Sequence, residues 1–195
     1  MFDPRERSSA LELVRERQAP DARVLDTKGD FETVPPTMIE NLAPTVEKFV
    51  PFDCDPAWVP ESAPEQLHRL AGGEFTVGAP GDGGVAWTRQ THPPTVFIKP
   101  RLAGSPDSFV EFLIAEALVE VGTDLPEMFL EFFGAQYLDL AATGLSPADT
   151  YQLANALYNA YIGLHTEPTF REWGSEAPEL TSLHNAWLDA GSRLT

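Results

Sequence analysis

A chain of 195 residues with 30 acidic against 13 basic side chains has a formal net charge of −17, which excludes the basic patch that binding to nucleic acid or an anionic membrane requires. Its 43% apolar content, with 12 Phe and 4 Trp, suits a packed globule rather than a disordered chain. A single cysteine, Cys54, excludes an internal disulfide and a cysteine metal site.

One domain over residues 1–195 is expected, with a loosely packed helical N-terminal part over residues 1–60. No 18-residue uncharged apolar stretch occurs, and Met1-Phe-Asp-Pro-Arg-Glu-Arg7 is charged and lacks an apolar signal core. Neither a transmembrane span nor a signal peptide is expected, and a cytoplasmic location follows. The acidic residues are dispersed rather than gathered in a tail, and lysine occurs only at positions 28, 48 and 99. Self-repulsion of this size is relieved when salt shortens the Debye length to about 3 Å at 1 M. The composition therefore predicts adaptation to a high-salt cell interior.

In chain order, Ser9-Ala-Leu-Glu12 is a capping box opening a first helix with a Leu11, Leu13, Val14 stripe, and Pro20 ends it. Residues 21–36 read as loop with a short strand at Arg23 to Leu25. A helix is expected over Thr37 to Phe49 with Pro44 limiting its regularity, followed by a proline-punctuated connector over 51–60. Ser62-Ala-Pro-Glu65 opens another short helix that Gly72-Gly73 closes. Phe75 to Gly78, Val85 to Gln90 and Thr95 to Lys99 predict an antiparallel meander of three strands, with a turn at Pro80 to Gly84. Beyond Ser105 the pattern is helical: one helix from Pro106 to Gly122, one or two over Pro126 to Ala141, a long one from the Ser146-Pro-Ala-Asp149 box to Leu164, and further helices over Thr166 to Trp173 and Pro178 to Leu194. The predicted class is α+β, a small sheet over residues 75–99 packed by mainly C-terminal helices.

Most motifs that suggest chemistry have a plainer meaning. Gly78-Ala-Pro-Gly-Asp-Gly-Gly84 lacks the Gly-Lys-Ser/Thr and the following helix of a phosphate loop, so it reads as a turn. Asp53 and Asp55 flank Cys54 without a preceding apolar strand, as a solvated or capping pair. Ser62, Ser105 and Ser146 sit at helix starts as caps. His68, His92, His165 and His184 lack ligand spacing, so no metal is expected. Tyr158 and Tyr161, with Leu153, Leu157 and Leu164, form a core or helix-packing face.

Glu116 stands apart, inside the apolar run Phe112-Leu-Ile-Ala-Glu-Ala-Leu-Val119. At about 100° per residue it shares a face with Glu120, roughly opposite Asp107 and Glu111. That face either reaches water or looks into a pocket. A carboxylate-based site of Glu116 and Glu120 with a distant His165 or Asp149 would be the basis of a hydrolase, and carboxylates of this kind suit a hard cation such as Mg²⁺ or Mn²⁺.

Thr95-Val-Phe-Ile-Lys-Pro-Arg-Leu102, Ser105-Pro-Asp-Ser-Phe-Val110, Leu113-Ile-Ala-Glu-Ala-Leu-Val119 and Leu125-Pro-Glu-Met-Phe129 resemble the core of small SprT-like zincin metallopeptidases. In that family an edge strand leads to a helix bearing His-Glu-x-x-His, with a third histidine upstream of a packed phenylalanine. The resemblance puts Glu116 at the general-base position and Phe129 at the phenylalanine, while Ala115, Val119 and Leu125 replace the three zinc ligands. It implies a degenerate, catalytically dead relative without zinc. Over its whole length the chain also resembles a haloarchaeal family of unknown function, which implies no activity. The expectation is a non-catalytic, cofactor-free protein binding a small molecule or another protein, with homo-oligomerisation through the aromatic helices after Phe129 as a further possibility and hydrolysis at Glu116 and Glu120 as the alternative.

Overall fold

A computed structural model describes residues 2–31, 34, 36–73, 75–78, 83–175 and 177–192. In chain order the elements are β1 (Phe2–Pro4), α1 (Ser9–Gln18), β2 (Arg23–Thr27), α2 (Pro36–Leu42), β3 (Lys48–Phe49), α3 (Glu65–Ala71), β4 (Val85–Thr88), β5 (Thr91–His92), β6 (Thr95–Ile98), α4 (Asp107–Val121), α5 (Phe129–Phe133), α6 (Gln136–Ala141), α7 (Pro147–Ser175) and α8 (Thr181–Ser192). This is the α+β arrangement expected, with the helices concentrated after the sheet.

The sheet is mixed, in the order β1-β2-β6-β4. β4 and β6 are antiparallel as expected, Ala86 facing Phe97. Phe75, Thr76 and Val77 form no strand. The other side of β6 is occupied instead by β2, which runs parallel to it with Val24 opposite Val96 and Leu25 opposite Phe97. The reason lies in β6, whose four residues are all buried: a strand covered on both faces needs a hydrogen-bonded neighbour on both edges, and β2 supplies a buried Val-Leu pair. The predicted turn over Pro80 to Gly84 falls largely on residues 79–82, outside the described residues.

Strand alternation divides the apolar side chains between the two faces. Val24, Val96 and Ile98 join Leu11 and Val14 of α1, Ile114, Ala115, Leu118 and Val119 of α4, and Leu180 and Leu183 near α8. On the opposite face Phe2, Leu25, Ala86 and Phe97 meet Phe31, Val34, Leu42, Val46 and Val77. Lys99 is buried beside this second cluster, its Nζ 4.8 Å from the Phe31 ring centroid. A third cluster lies away from the sheet, where Cys54, Val59, Leu67 and Leu70 pack on Phe129, Leu130, Tyr137, Tyr151, Tyr158 and Ile162. Helix α7 spans two of these clusters, with Tyr151 to Ile162 in the third and Phe170 and Trp173 in the first.

The helix ends refine the sequence reading. Ser8, not Ser9, caps α1, its Oγ accepting from the Leu11 N–H at 3.3 Å. Ser146 caps α7, accepting from Asp149 N–H and donating to the Asp149 carboxylate at 2.6 Å. Ser62 and Ser105 do not cap: Pro64 and Pro106 stand at those N-caps, without a side-chain hydrogen bond and with an acidic residue, Glu65 or Asp107, in the first turn. Asp55 accepts from Ala57 N–H at 2.9 Å, as a capping residue should. Helix α2 stops at Leu42, and Lys48–Phe49 pairs as a strand with β5 rather than extending a helix. Helix α7 continues to Ser175 through Pro168 instead of ending at Leu164, because Phe170 and Trp173 carry its apolar face onto the first cluster. Among the described residues no helix is long and apolar enough to cross a membrane.

Candidate functional site

A cavity of about 380 Å³ opens where α4 leaves the sheet, and it is built largely by one face of that helix. Phe109, Leu113, Glu116, Ala117 and Glu120 line it, at spacings of three and four that bring side chains onto a single helical stripe. Opposite stand Asn155, Tyr158, Asn159 and Ile162 of α7; Trp87 of β4 and Met128 and Phe129 close the ends. The second polar face of α4 therefore looks into a pocket. Ala115 and Val119, flanking it in sequence, are buried in the first apolar cluster, so substituting ligands at those positions would not face the cavity as the helix stands.

The two carboxylates of the stripe are held differently. Glu120 accepts the Trp87 indole N–H at 2.6 Å, which ties α4 to the sheet edge. Glu116 is half-buried, and among the described residues no donor reaches it; desolvation pushes its carboxyl above the usual carboxylate range. Asn155 and Asn159 offer amide groups on the far wall. The Tyr158 hydroxyl donates to the Pro126 and Glu127 carbonyls at 2.7 and 2.9 Å. Burial and the negative field of Glu120 and Glu127 keep that phenol strongly protonated.

A third carboxylate reaches this wall from the loop after α4. Glu127 accepts from Thr88 Oγ1 and Arg89 N–H, both at 2.6 Å, and from Gln90 Nε2 at 2.9 Å. Burial pushes its carboxyl up, while these three donors and the nearby Arg89 charge pull it back. Arg89 completes a reciprocal latch by donating to the carbonyls of Thr123, at 2.6 Å, and Leu125, with its guanidinium 5.4 Å from the Trp87 ring centroid. Glu127 is thereby committed to fixing the β4–β5 turn against residues 123–127. Beyond it lies a second depression of about 460 Å³ lined by Phe52, Cys54, Trp58, Arg89 and Leu125. Burial pushes the Cys54 thiol up to about 11, with Glu131 and Asp53 adding to the shift, so this is a quiet thiol rather than a nucleophile.

Of the residues singled out from sequence, Glu116 and Glu120 share the cavity. His165 does not line it: its ring is exposed on α7, 4.2 Å from the Tyr161 ring centroid, with Nδ1 2.9 Å from the Tyr161 carbonyl. Asp149 is occupied with Ser146 at the start of α7. A hydrolase assembled from the glutamates with His165 or Asp149 is therefore not formed by this geometry. Among the described residues no three His, Cys, Asp or Glu side chains converge to hold a metal. Sequence reasoning missed Trp87, Asn155, Asn159 and the Glu127–Arg89 latch. The partners of Trp87 and of the latch lie 33–39 residues away, beyond any local spacing.

No curated protein and no solved structure matches the chain. The whole length, residues 1–195, matches the model of DUF7089, a family of unknown function, and the protein belongs to that family.

Proposed function

We propose that this DUF7089 protein is a cytoplasmic binding protein of a high-salt cell interior, whose cavity receives a small organic cation through Glu116 without transforming it. The observation that carries this reading is the Glu116 carboxylate, desolvated and unmatched by any donor among the described residues, on the wall of a cavity of ligand size. A carboxylate in that position is unfavourable alone. An ammonium or guanidinium group supplies both the charge and the N–H donors it lacks. The Asn155 and Asn159 amide oxygens can accept further ligand hydrogens, and Leu113, Met128 and Phe129 provide apolar wall for the ligand body. The high-salt setting rests on the dispersed −17 charge.

Isothermal titration in about 2 M KCl, where surface attraction is screened, tests this with a primary alkylamine, an alkyl diamine and a guanidinium compound as probes. Saturable binding of at least one, lost in Glu116→Gln, is expected. No saturation with any of the three, or unchanged binding to the variant, refutes the reading.

The alternative, hydrolysis by Glu116 and Glu120, draws on one observation: two carboxylates one helical turn apart, with Glu116 biased toward its protonated form and Glu120 anchored by the indole. Turnover of a soluble ester or glycoside that disappears in both Glu116→Gln and Glu120→Gln would replace the binding reading with this one.

A further inference from the structure

Residues 150–166 of α7 contain no Asp, Glu, Lys or Arg, although the chain as a whole carries −17. The buried side of this stretch is Tyr151, Ala154, Tyr158 and Ile162. Opposite it, within an arc of about 120°, lie Leu153, Ala156, Leu157, Ala160, Gly163 and Leu164, all exposed. Leu157 and Leu164 are 46% and 69% accessible, which no contact within the chain explains.

Gly163 gives an independent indication. A Cβ built there meets nothing within 4 Å, and its φ is not positive, so neither packing nor backbone conformation within the chain requires glycine. Glycine is nonetheless much less favourable than alanine in a helix interior. Its value in such a position is to let another surface approach closely.

We propose that this face joins two copies of the chain as an antiparallel helix pair with its two-fold axis at Ala160. In that register Leu164 of one copy meets Ala156 of the other, Leu157 meets Gly163, and Ala160 meets itself, so the two most exposed leucines each face a small residue, while Leu153 at the edge lies against the aliphatic stem of Glu167. The same register brings Asp149, exposed at the start of α7, against Arg171, whose side chain is 70% exposed and already pairs with Glu167 one turn earlier in its own helix, so the ends of the pair are matched in charge. A second copy is also the occupant that the electrostatics favour: a basic partner would be drawn to the acidic surfaces, whereas two chains of −17 can approach only where charge is absent. One helix pair lies at the small end of specific interfaces, so association depends on salt to screen the remaining repulsion.

Sedimentation of the intact chain tests this at about 0.1 mM in low salt and in about 2 M KCl. A dimer is expected in high salt, shifting to monomer in low salt, and Ala160→Glu abolishes it while circular dichroism shows the helices retained. An Ala160→Cys variant is expected to oxidise to a disulfide-linked dimer much faster than Ala156→Cys, since only position 160 meets itself; Cys54 is buried and gives no background. Arg171→Asp weakens the dimer, and adding Asp149→Arg restores it. A monomer in high salt, or a dimer indifferent to Ala160→Glu, overturns the interface. Equal cross-linking at 156 and 160 overturns the register.

Discussion

Glu116 and Glu127 are both half-buried carboxylates lining the same cavity, yet their substitution should have opposite effects. Glu116 lacks a donor among the described residues, and its folded-state pKa lies above its ordinary value. The folded protein therefore binds the proton more tightly than the unfolded chain does, and stability falls as pH rises from the ordinary carboxylate value through the folded one. Glu116→Gln removes that penalty. At neutral pH it should raise stability by about 1 kcal/mol, or roughly 2–4 °C in melting temperature at this chain length, with the gain vanishing in melts run below the ordinary carboxylate pKa. Glu127 is satisfied by three donors, so Glu127→Ala leaves the Arg89 N–H and two side chains facing a void. A loss of about 3 kcal/mol is expected in thermal melts in molar KCl. Glu12 contributes with the opposite pH sign to Glu116. Hydrogen bonds from Arg15 and Arg7 lower it to about 2, so its small stabilisation is present above the ordinary Glu value and fades as pH falls toward 2; the pair is partly exposed and solvent-screened.

Among elements, α4 organises the molecule. Its apolar sides enter the first cluster, its carboxylate stripe forms the cavity, and its C-terminal Gly122 permits close packing against α1. A Cβ at Gly122 would lie 2.1 Å from the Gln18 carbonyl oxygen, and φ there is an unstrained −77°. The glycine is required by crowding rather than by backbone conformation. Gly122→Ala must push α1 and α4 apart and is expected to cost about 2–3 kcal/mol in equilibrium unfolding. Gly163→Ala, by contrast, should leave the isolated chain as stable or more stable, because its added methyl meets nothing. The two glycines differ only in what approaches them. From sequence both are single glycines at or near helical patterns, and the distinction becomes visible only when the neighbouring element is in place.

At the scale of the whole molecule the dominant quantity is charge. With −17 spread over 195 residues, thermal stability should climb between about 0.1 and 2 M KCl as the Debye length contracts from about 10 Å to a few ångströms; a flat melting temperature across that range would contradict the high-salt reading. Composition, α+β class and the terminal boundaries of α4 and the beginning of α7 were legible in the chain because they depend on local chemistry: side-chain charge, apolar period, proline and glycine punctuation, and the Ser146–Asp149 cap. The shared face of Glu116 and Glu120 was legible for the same reason, since 100° per residue is a property of one helix. What that face looks into was not. The parallel docking of β2 beside β6, the indole that reaches Glu120, the latch between Glu127 and residues 88–90, and the exclusion of His165 from the cavity all join segments separated by tens of residues. Such contacts are selected by the joint burial of side chains from several elements at once, which no local pattern encodes. The sequence by itself determined what each segment could be; the tertiary packing decided which polar groups were left facing one another, because only the assembled core fixes where water is excluded.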